Sequence, residues 1–167
     1  DISTPSSPSV SAFVSGKGGC TWRQIKTYQN YCYVVSDDPS PNTFQIIDMT
    51  SLSNTPSTVT LIHNGTSSFE RGHTIYIDKD KMYIGSVTYT AGNNPAYSSM
   101  DIYSLATPSA PVLLRRLSQD YPFVSTVHDM FVKNDTVFAS CGNQGLQIFK
   151  YQTSLQTFTL LGSYTNY

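Results

Sequence analysis

Residues 25–36, with the sequence IKTYQNYCYVVS, decide the fold of this chain because their pattern recurs twice further along it. The recurrences are residues 75–86 (IYIDKDKMYIGS) and residues 130–141 (MFVKNDTVFASC), at spacings of 50 and 55 residues. Each stretch consists of an apolar run, two polar residues and a second apolar run. That pattern predicts a tight β-hairpin, and the spacing indicates a repeat protein.

Two further apolar runs follow each hairpin. Four antiparallel strands in a unit of about 40–50 residues is the form of a β-propeller blade. The sequence therefore predicts an all-β protein, a β-propeller segment of about three four-stranded antiparallel blades. The third strands are predicted at residues 43–48, 99–103 and 146–150, and the fourth strands at residues 58–62, 112–116 and 157–161. The predicted blades are residues 18–66, 67–120 and 121–167.

A leading strand is predicted ahead of the first blade. Residues 1–8 (DISTPSSP) resemble the linker at residues 103–111 (YSLATPSAP), so residues 1–17 are interpreted as the end of a preceding blade, with its last strand at 9–14. Three blades and one strand cannot close a ring, because propellers typically have four to eight blades. We expect an internal segment whose ring is completed by the remainder of its own propeller, and the alternative is closure by a second chain.

Charge and cysteine content exclude several classes of protein. The net charge is −1 and charged residues make up 13% of the chain, so no attraction to nucleic acid or to an anionic membrane is expected. No apolar run is long enough to predict a membrane span. Cys20, Cys32 and Cys141 lack metal-ligand spacing; Cys32 and Cys141 are predicted to be buried free thiols, and no Cys20–Cys32 disulfide is expected.

Several of these stretches resemble the propeller of choice-of-anchor B family proteins, which carry LVIVD-type repeats. The similar residues are 21–28 (TWRQIKTY), 33–37 (YVVSD), 44–50 (FQIIDMT), 72–78 (GHTIYID) and 127–130 (VHDM). The likeness extends over nearly the whole chain. Its most specific part is the Trp-Arg-x-Ile-Lys stretch, whereas the apolar pattern of the third strands is weakly specific.

The resemblance implies a bacterial propeller that is secreted or anchored at the cell surface. Relatives of this kind differ in their C-terminal anchor, and many come from Bacteroidota, where a type IX system would export them. No enzymatic role is transferred by the resemblance. One departure from the family pattern is that a further His-bearing strand opening, expected after the third blade, is absent from this sequence, which fits the expectation of an internal segment.

The repeat register aligns Arg23 with His73 and His128, each at the opening of a first strand. First strands line the channel of a propeller, so these side chains, with Trp22 and Asp129, are predicted at one channel mouth. His73, His128 and Asp129 are candidate ligands of a divalent metal; the favoured interpretation is that they hydrogen-bond strand ends and neighbouring blades, with no cofactor. Trp22 is expected to pack between blades or stack on a ligand, and Arg23 to pair with an acid such as Asp129 or bind an anion.

Two long loops and one histidine complete the candidates. The loop at residues 88–98 has the tyrosine, asparagine and glycine composition of recognition loops, so Tyr89, Asn93, Asn94 and Tyr97 are candidate ligand contacts, with a flexible insertion as the alternative. The acidic loop at residues 37–42 is interpreted as a solvated turn rather than a calcium site. His63 is predicted to be a surface turn residue.

Two functions of different class remain. The favoured one is a non-catalytic extracellular or cell-surface scaffold or binding module that contacts protein or glycan through its loops and channel mouth. The alternative is a metal-dependent, hydrolase-like enzyme that uses a cluster of His73, His128 and Asp129. No phosphate-binding glycine loop, nucleophile elbow or HExxH motif occurs to favour a particular chemistry.

Overall fold

A computed structural model describes residues 1–16, 18–38, 43–65, 68–90 and 96–166. Within these residues the protein is all-β, and helix is limited to single 3-10 turns at Leu117–Gln119 and Gly142–Gln144. No helix in the described part of the chain is long and apolar enough to cross a bilayer. The strands are β1 Arg23–Tyr28, β2 Tyr31–Ser36, β3 Phe44–Asp48, β4 Thr60–Gly65, β5 Thr74–Asp78, β6 Lys81–Thr88, β7 Tyr97–Ser104, β8 Val112–Arg116, β9 Asp129–Lys133, β10 Thr136–Ser140, β11 Leu146–Gln152 and β12 Thr157–Tyr164.

The strands form three four-stranded antiparallel sheets, each built from four consecutive strands in chain order. Sheet 1 contains β1–β4, sheet 2 contains β5–β8 and sheet 3 contains β9–β12. The three predicted tight hairpins are confirmed, since two residues join the first and second strand of each sheet. The first turn residues, Gln29, Lys79 and Asn134, have φ of 51°, 54° and 51°, the left-handed conformation that such short turns require.

The same irregularity marks all three sheets. In each, the pairing of the third with the fourth strand shifts register by one residue. The shifts lie between Ile46 and Ile47, between Ile102 and Tyr103, and between Ile148 and Phe149. These pairs occupy equivalent places in the sequence repeat, so the repeat extends from the residue pattern to the backbone geometry.

Each sheet has two faces because successive side chains on a strand alternate. We call the face that points toward the following sheet in the chain its forward face, and the opposite one its backward face. Tyr33 of sheet 1 and Tyr83 of sheet 2 lie on forward faces, and their cross-strand neighbours Ile46 and Ile102 share those faces. Phe138 is the equivalent residue in sheet 3.

Two core clusters lie between the sheets. One joins the forward face of sheet 1 to the backward face of sheet 2 and includes Tyr33, Ile46 and Ile84. The other joins the forward face of sheet 2 to the backward face of sheet 3 and includes Tyr83 and Phe149. The sheets are therefore packed face to face in chain order, with sheet 2 contributing to both clusters.

The first strands of successive sheets lie side by side, since β1 contacts β5 and β5 contacts β9. At the start of these strands the Thr74 hydroxyl donates to Gln24 Oε1 at 2.8 Å and lies 3.3 Å from Asp129 Oδ1. Gln24, Thr74 and Asp129 are equivalent in the repeat register. Equivalent positions of the three sheets are thus neighbours along one edge.

The predicted leading strand is not formed. Residues 8–16 have no strand pairing with any described residue, and the segment instead lies beside sheet 1, where the Gln45 side-chain amide donates to the Ser15 carbonyl at 2.8 Å. A strand exists only through a ladder with a neighbour, and sheet 1 already has its four strands. Residues 9–14 therefore form no strand in this structure, and their assignment to a preceding blade stays a prediction.

The prediction for His63 was also wrong. His63 lies within β4, and its ring packs 5.2 Å from the ring of Phe44. Burial holds the pKa of the imidazole below its usual value. The strand extends three residues further than its apolar pattern indicated, which places His63 in a ladder rather than in a turn.

Candidate functional site

The candidate site lies at the edge where the first strands begin. The hairpin of each sheet holds its first strand against the second, so the residue just before each first strand is fixed at this edge. The His73 amide donates to the Gly85 carbonyl at 3.0 Å, and the His128 amide donates to the Ser140 carbonyl at 2.9 Å. These equivalent bonds give His73 and His128 equivalent backbone positions.

His73 is the centre of the site. Its Nδ1 lies 3.0 Å from Asp37 Oδ2, and its side chain is 17% exposed. Its ring centroid is 4.4 Å from that of His128 and 6.5 Å from that of Trp22. We call Trp22, His73 and His128 the ring row. The Asp37 carboxylate therefore contacts the His73 ring on its Nδ1 side.

His128 is exposed and lies on the outer side of the ring row. It lines a shallow groove of about 340 Å³ together with Ser140, Leu146 and Tyr164. The groove continues the ring row onto the end of sheet 3. The row and the groove together form one open surface with aromatic, imidazole and hydroxyl groups.

Trp22 does not fill the core between two sheets, so that prediction was wrong. Trp22 is 63% exposed, and its backbone carbonyl accepts from the Asp37 amide at 3.2 Å and from the Cys20 thiol at 3.0 Å. Residue 22 precedes the ladder of sheet 1, where its side chain is directed outward beside His73. These contacts fix the backbone of Trp22 at the surface.

Arg23 and Asp129 do not meet, which corrects the expected ion pair. The guanidinium of Arg23 lies against Gly16, and no ion pair of Arg23 is found among the described residues. Asp129 Oδ1 instead accepts from the Met130 amide at 2.8 Å and lies within reach of the Thr74 hydroxyl. The Arg23 side chain, at the aligned position of sheet 1, thus lies away from the ring row, and Trp22 lies beside His73 instead.

The metal hypothesis finds no donor set in the described ranges, in which no three His, Cys, Asp or Glu side chains converge. His73 and His128 do come together as predicted from the repeat register. The third expected ligand, Asp129, uses its carboxylate on the β5 and β9 strand ends. Asp37, which the sequence singled out only as part of an acidic loop, is the carboxylate that contacts His73.

The four candidates in the long loop have different outcomes. Tyr89 is 5% exposed, and its hydroxyl contacts the Asp101 carboxylate and accepts from Arg116 Nε, so it faces the interior and is not a surface contact. Tyr97 is exposed at the start of β7. Asn93 and Asn94 lie outside the described residues. Tyr89 and Tyr97 therefore mark the two ends of the loop, one anchored and one open.

Asp101 forms a buried polar centre that the sequence analysis missed. It is fully buried, and its Oδ2 contacts the hydroxyls of Tyr89 and Tyr103. Burial raises the pKa of this carboxyl, against the lowering effect of the hydroxyl bonds and of Arg116. The available signal was an acidic residue at a core-facing position between Met100 and Ile102.

The fold and the site define an all-β protein of three packed four-stranded sheets with an exposed ring row at the edge formed by its first strands. No protein-family model matches the chain, and no curated protein matches it at a significant level.

Proposed function

We propose that the protein is a non-catalytic binding module that takes a saccharide at the ring row. The observation that carries this proposal is an exposed tryptophan whose ring centroid lies 6.5 Å from that of His73, which in turn lies 4.4 Å from that of His128. An exposed indole with a fixed backbone offers apolar surface at little entropic cost. Sugar rings present C–H groups to such surfaces and hydroxyls to imidazole nitrogens, so the ring row suits them.

The three sheets are interpreted as blades of a β-propeller. Support comes from the shared position of the register shifts, from the contacts of β1 with β5 and of β5 with β9, and from the face-to-face packing. In that arrangement the ring row lies at the mouth of the central channel. An experimental structure in which a rotation about one axis beside β5 relates successive sheets would support this interpretation; unrelated sheet orientations would contradict it.

The resemblance to choice-of-anchor B proteins supports the proposal that the module acts outside a bacterial cell, secreted or anchored at the surface. The glycan partner would then be a surface or environmental polysaccharide. Protease treatment of intact cells that make the protein tests this location: degradation without lysis is expected, and complete protection would contradict it.

Binding can be followed directly because Trp22 is the single tryptophan of the chain. A panel of neutral and acidic oligosaccharides is titrated while the intrinsic fluorescence is recorded, and a saturable change is expected for at least one class. Trp22→Ala should weaken its binding about tenfold, which corresponds to ~1.4 kcal/mol, when measured by calorimetry. His73→Ala should weaken it as well.

Phe123→Ala is the matched control, since Phe123 is a comparably exposed aromatic residue. Its binding should equal that of the wild type. If no oligosaccharide changes the fluorescence, or if Trp22→Ala binds as the wild type does, the saccharide proposal is wrong. The hydrolase alternative is not carried forward, because Asp129 is engaged at the strand ends and no observation favours catalysis.

A further inference from the structure

The segment that leads into β5 carries an arginine close to the ring row. Arg71 lies two residues before His73 in the chain. Its amide donates to the Thr88 carbonyl at 3.2 Å, and the Thr88 amide donates to the Arg71 carbonyl at 3.0 Å. This isolated bridge ties the segment to the end of β6, so Arg71 and His73 are both held by backbone bonds to the same strand of sheet 2.

Gly72 shows the direction of the side chains in this segment. A Cβ on Gly72 would lie 2.6 Å from Ile84 Cγ2 and 3.4 Å from Phe69 Cε2, so this position faces the core cluster between sheets 1 and 2. Because successive side chains of an extended segment alternate, Arg71 and His73 are both directed away from that core. Both are only partly buried, which agrees with this direction.

The guanidinium of Arg71 has a fixed orientation. Its Nε donates to Thr88 Oγ1 at 3.1 Å. The residue before it in β6, Val87, belongs to the core cluster, so alternation places the Thr88 hydroxyl on the side away from the core as well. A bond at Nε leaves both terminal amino groups of the guanidinium as donors, and these form a planar fork that fits a carboxylate.

Arg71 has no internal counter-ion within the described ranges, where no carboxylate lies at ion-pair distance from it. Arg115 of the same sheet, by contrast, pairs with Asp120. The carboxylate of Asp37 contacts His73 instead. An arginine that is oriented by a neutral hydroxyl and lacks an internal carboxylate is suited to an anion that comes from outside the chain.

We propose that Arg71 recognises charge beside the ring row, and that the saccharide bound there carries a carboxylate, as a uronic acid does. The inference rests on the saccharide binding proposed above and names the class of sugar. Alternate residues of an extended segment lie about 7 Å apart, so a saccharide that rests on His73 can present its carboxylate to Arg71. The ring row then binds the sugar rings, and the guanidinium fork selects the acidic ones.

The test uses tetrasaccharides of galacturonate and of mannuronate, each as the free acid and as the methyl ester, titrated by calorimetry. Esterification removes the charge and retains the sugar ring. At least one free acid is expected to bind about tenfold more tightly than its ester, because hydrogen bonds between charged groups are stronger than those to a neutral acceptor. Arg71→Gln should weaken binding of that acid about tenfold and leave binding of the ester unchanged.

Arg23→Gln is the matched control, because Arg23 also lacks an ion pair among the described residues but lies against Gly16, away from the ring row. It should bind the acid and the ester as the wild type does. Thr88→Val keeps the charge of Arg71 and removes the bond that orients it, so it should weaken binding of the acid alone, by less than Arg71→Gln. It also replaces Arg71→Gln if that variant loses its circular dichroism signal.

Three results overturn the inference: equal binding of acid and ester by the wild type, unchanged binding of the acid by Arg71→Gln, and an equal loss in Arg23→Gln. The comparison of acid with ester needs no variant, so it remains decisive if a substitution disturbs the fold. Binding of neutral oligosaccharides alone, with dependence on Trp22, would contradict the role of Arg71 and leave the saccharide proposal standing. Absence of binding to every saccharide would contradict both.

Discussion

Tyr33 and Tyr83 occupy equivalent positions in β2 and β6, and each side chain crosses from its own sheet to the next one. The Tyr33 hydroxyl donates to the Pro108 carbonyl at 2.8 Å, and the Tyr83 hydroxyl donates to Asp135 Oδ1 at 3.1 Å. Both rings are fully buried in the core between two sheets. A tyrosine therefore links sheet 1 to sheet 2, and an equivalent tyrosine links sheet 2 to sheet 3. Each does so by apolar packing and one hydrogen bond.

Removal of either hydroxyl should cost a similar amount of stability. Tyr33→Phe and Tyr83→Phe are each expected to lower the free energy of unfolding by ~1 kcal/mol, because each removes one hydrogen bond to a partly buried acceptor. Urea denaturation provides the measurement. Tyr97→Phe, at an exposed position, should leave the free energy of unfolding unchanged within error. Equal losses for all three variants would show that the hydroxyl bonds between the sheets do not themselves stabilise the protein.

Gly85 tests how closely sheets 2 and 3 approach. A Cβ at this position would lie 2.6 Å from Thr74 Cγ2 and would also overlap the Val127 carbonyl oxygen. Gly85→Ala should therefore lower the free energy of unfolding by ~1–3 kcal/mol through overpacking. Gly162→Ala is the control, since nothing lies within 4 Å of its added Cβ. Equal stability of the two variants would contradict the close approach.

His63 should make the protein sensitive to mild acid. Because burial lowers the pKa of His63 in the folded state, the unfolded state takes up the proton first as the pH falls below about 6.5. The contribution of His63 is complete above that pH and decreases below it. His63→Gln should flatten the pH dependence of the melting temperature between neutral pH and the folded pKa; an unchanged profile would contradict the assignment.

Asp101 should give the stability of the protein a pH dependence opposite to that given by His63. Its folded-state pKa is raised by burial, so the folded protein keeps the proton to a higher pH than the unfolded chain, whose reference value is 3.8. Stability should therefore decrease as the pH rises from that value to the folded pKa, and Asp101→Asn should remove this part of the slope. Denaturation over this pH range provides the measurement.

Asp48→Asn provides the comparison for Asp101. Bonds from the hydroxyl and the amide of Thr50 lower the pKa of the Asp48 carboxyl, so any effect of Asp48 has the reverse sign. A slope that survives in Asp101→Asn would show that Asp101 does not titrate as its burial requires.

The cysteines should differ in their reactivity. Burial raises the pKa of the Cys141 thiol to about 11, whereas for Cys20 the raising effect of burial is outweighed by bonds from Ser36 and the Asp38 amide, and its pKa is lowered. Since the thiolate is the reactive form, iodoacetamide at neutral pH should modify Cys20 first. Mass spectrometry of timed samples measures this, and faster modification of Cys141 in the folded protein would contradict it.

The sequence was informative where structure is local and less so where it depends on neighbours. The two-residue turns at Gln29 and Lys79 require a hairpin whatever surrounds them, so the hairpins could be predicted. The segment at residues 9–14 has strand composition, yet a strand needs a partner that composition does not supply. Tyrosine is typical of recognition loops, but the contact of Tyr89 with buried Asp101 directs its side chain inward.

The candidate site shows the same division. The repeat register brought His73 and His128 together correctly, because equivalent positions of packed repeats are neighbours in space. It also implied an Arg23 contact that is absent among the described residues, because a register fixes backbone position and not side-chain direction. Asp37 was missed as the partner of His73 because it follows the end of β2, outside the aligned strand openings.

Sheet 2 contributes to both core clusters, and this determines the order in which the sheets should open. Opening of sheet 1 or of sheet 3 disrupts one core cluster, whereas opening of sheet 2 disrupts both. Backbone amides of β6 should therefore exchange with deuterium most slowly, and those of β4 and β12 should exchange early, as outer elements fray. A nascent chain leaving the ribosome would likewise present Tyr33 and Phe44 to chaperones until the strands of sheet 2 had been synthesised.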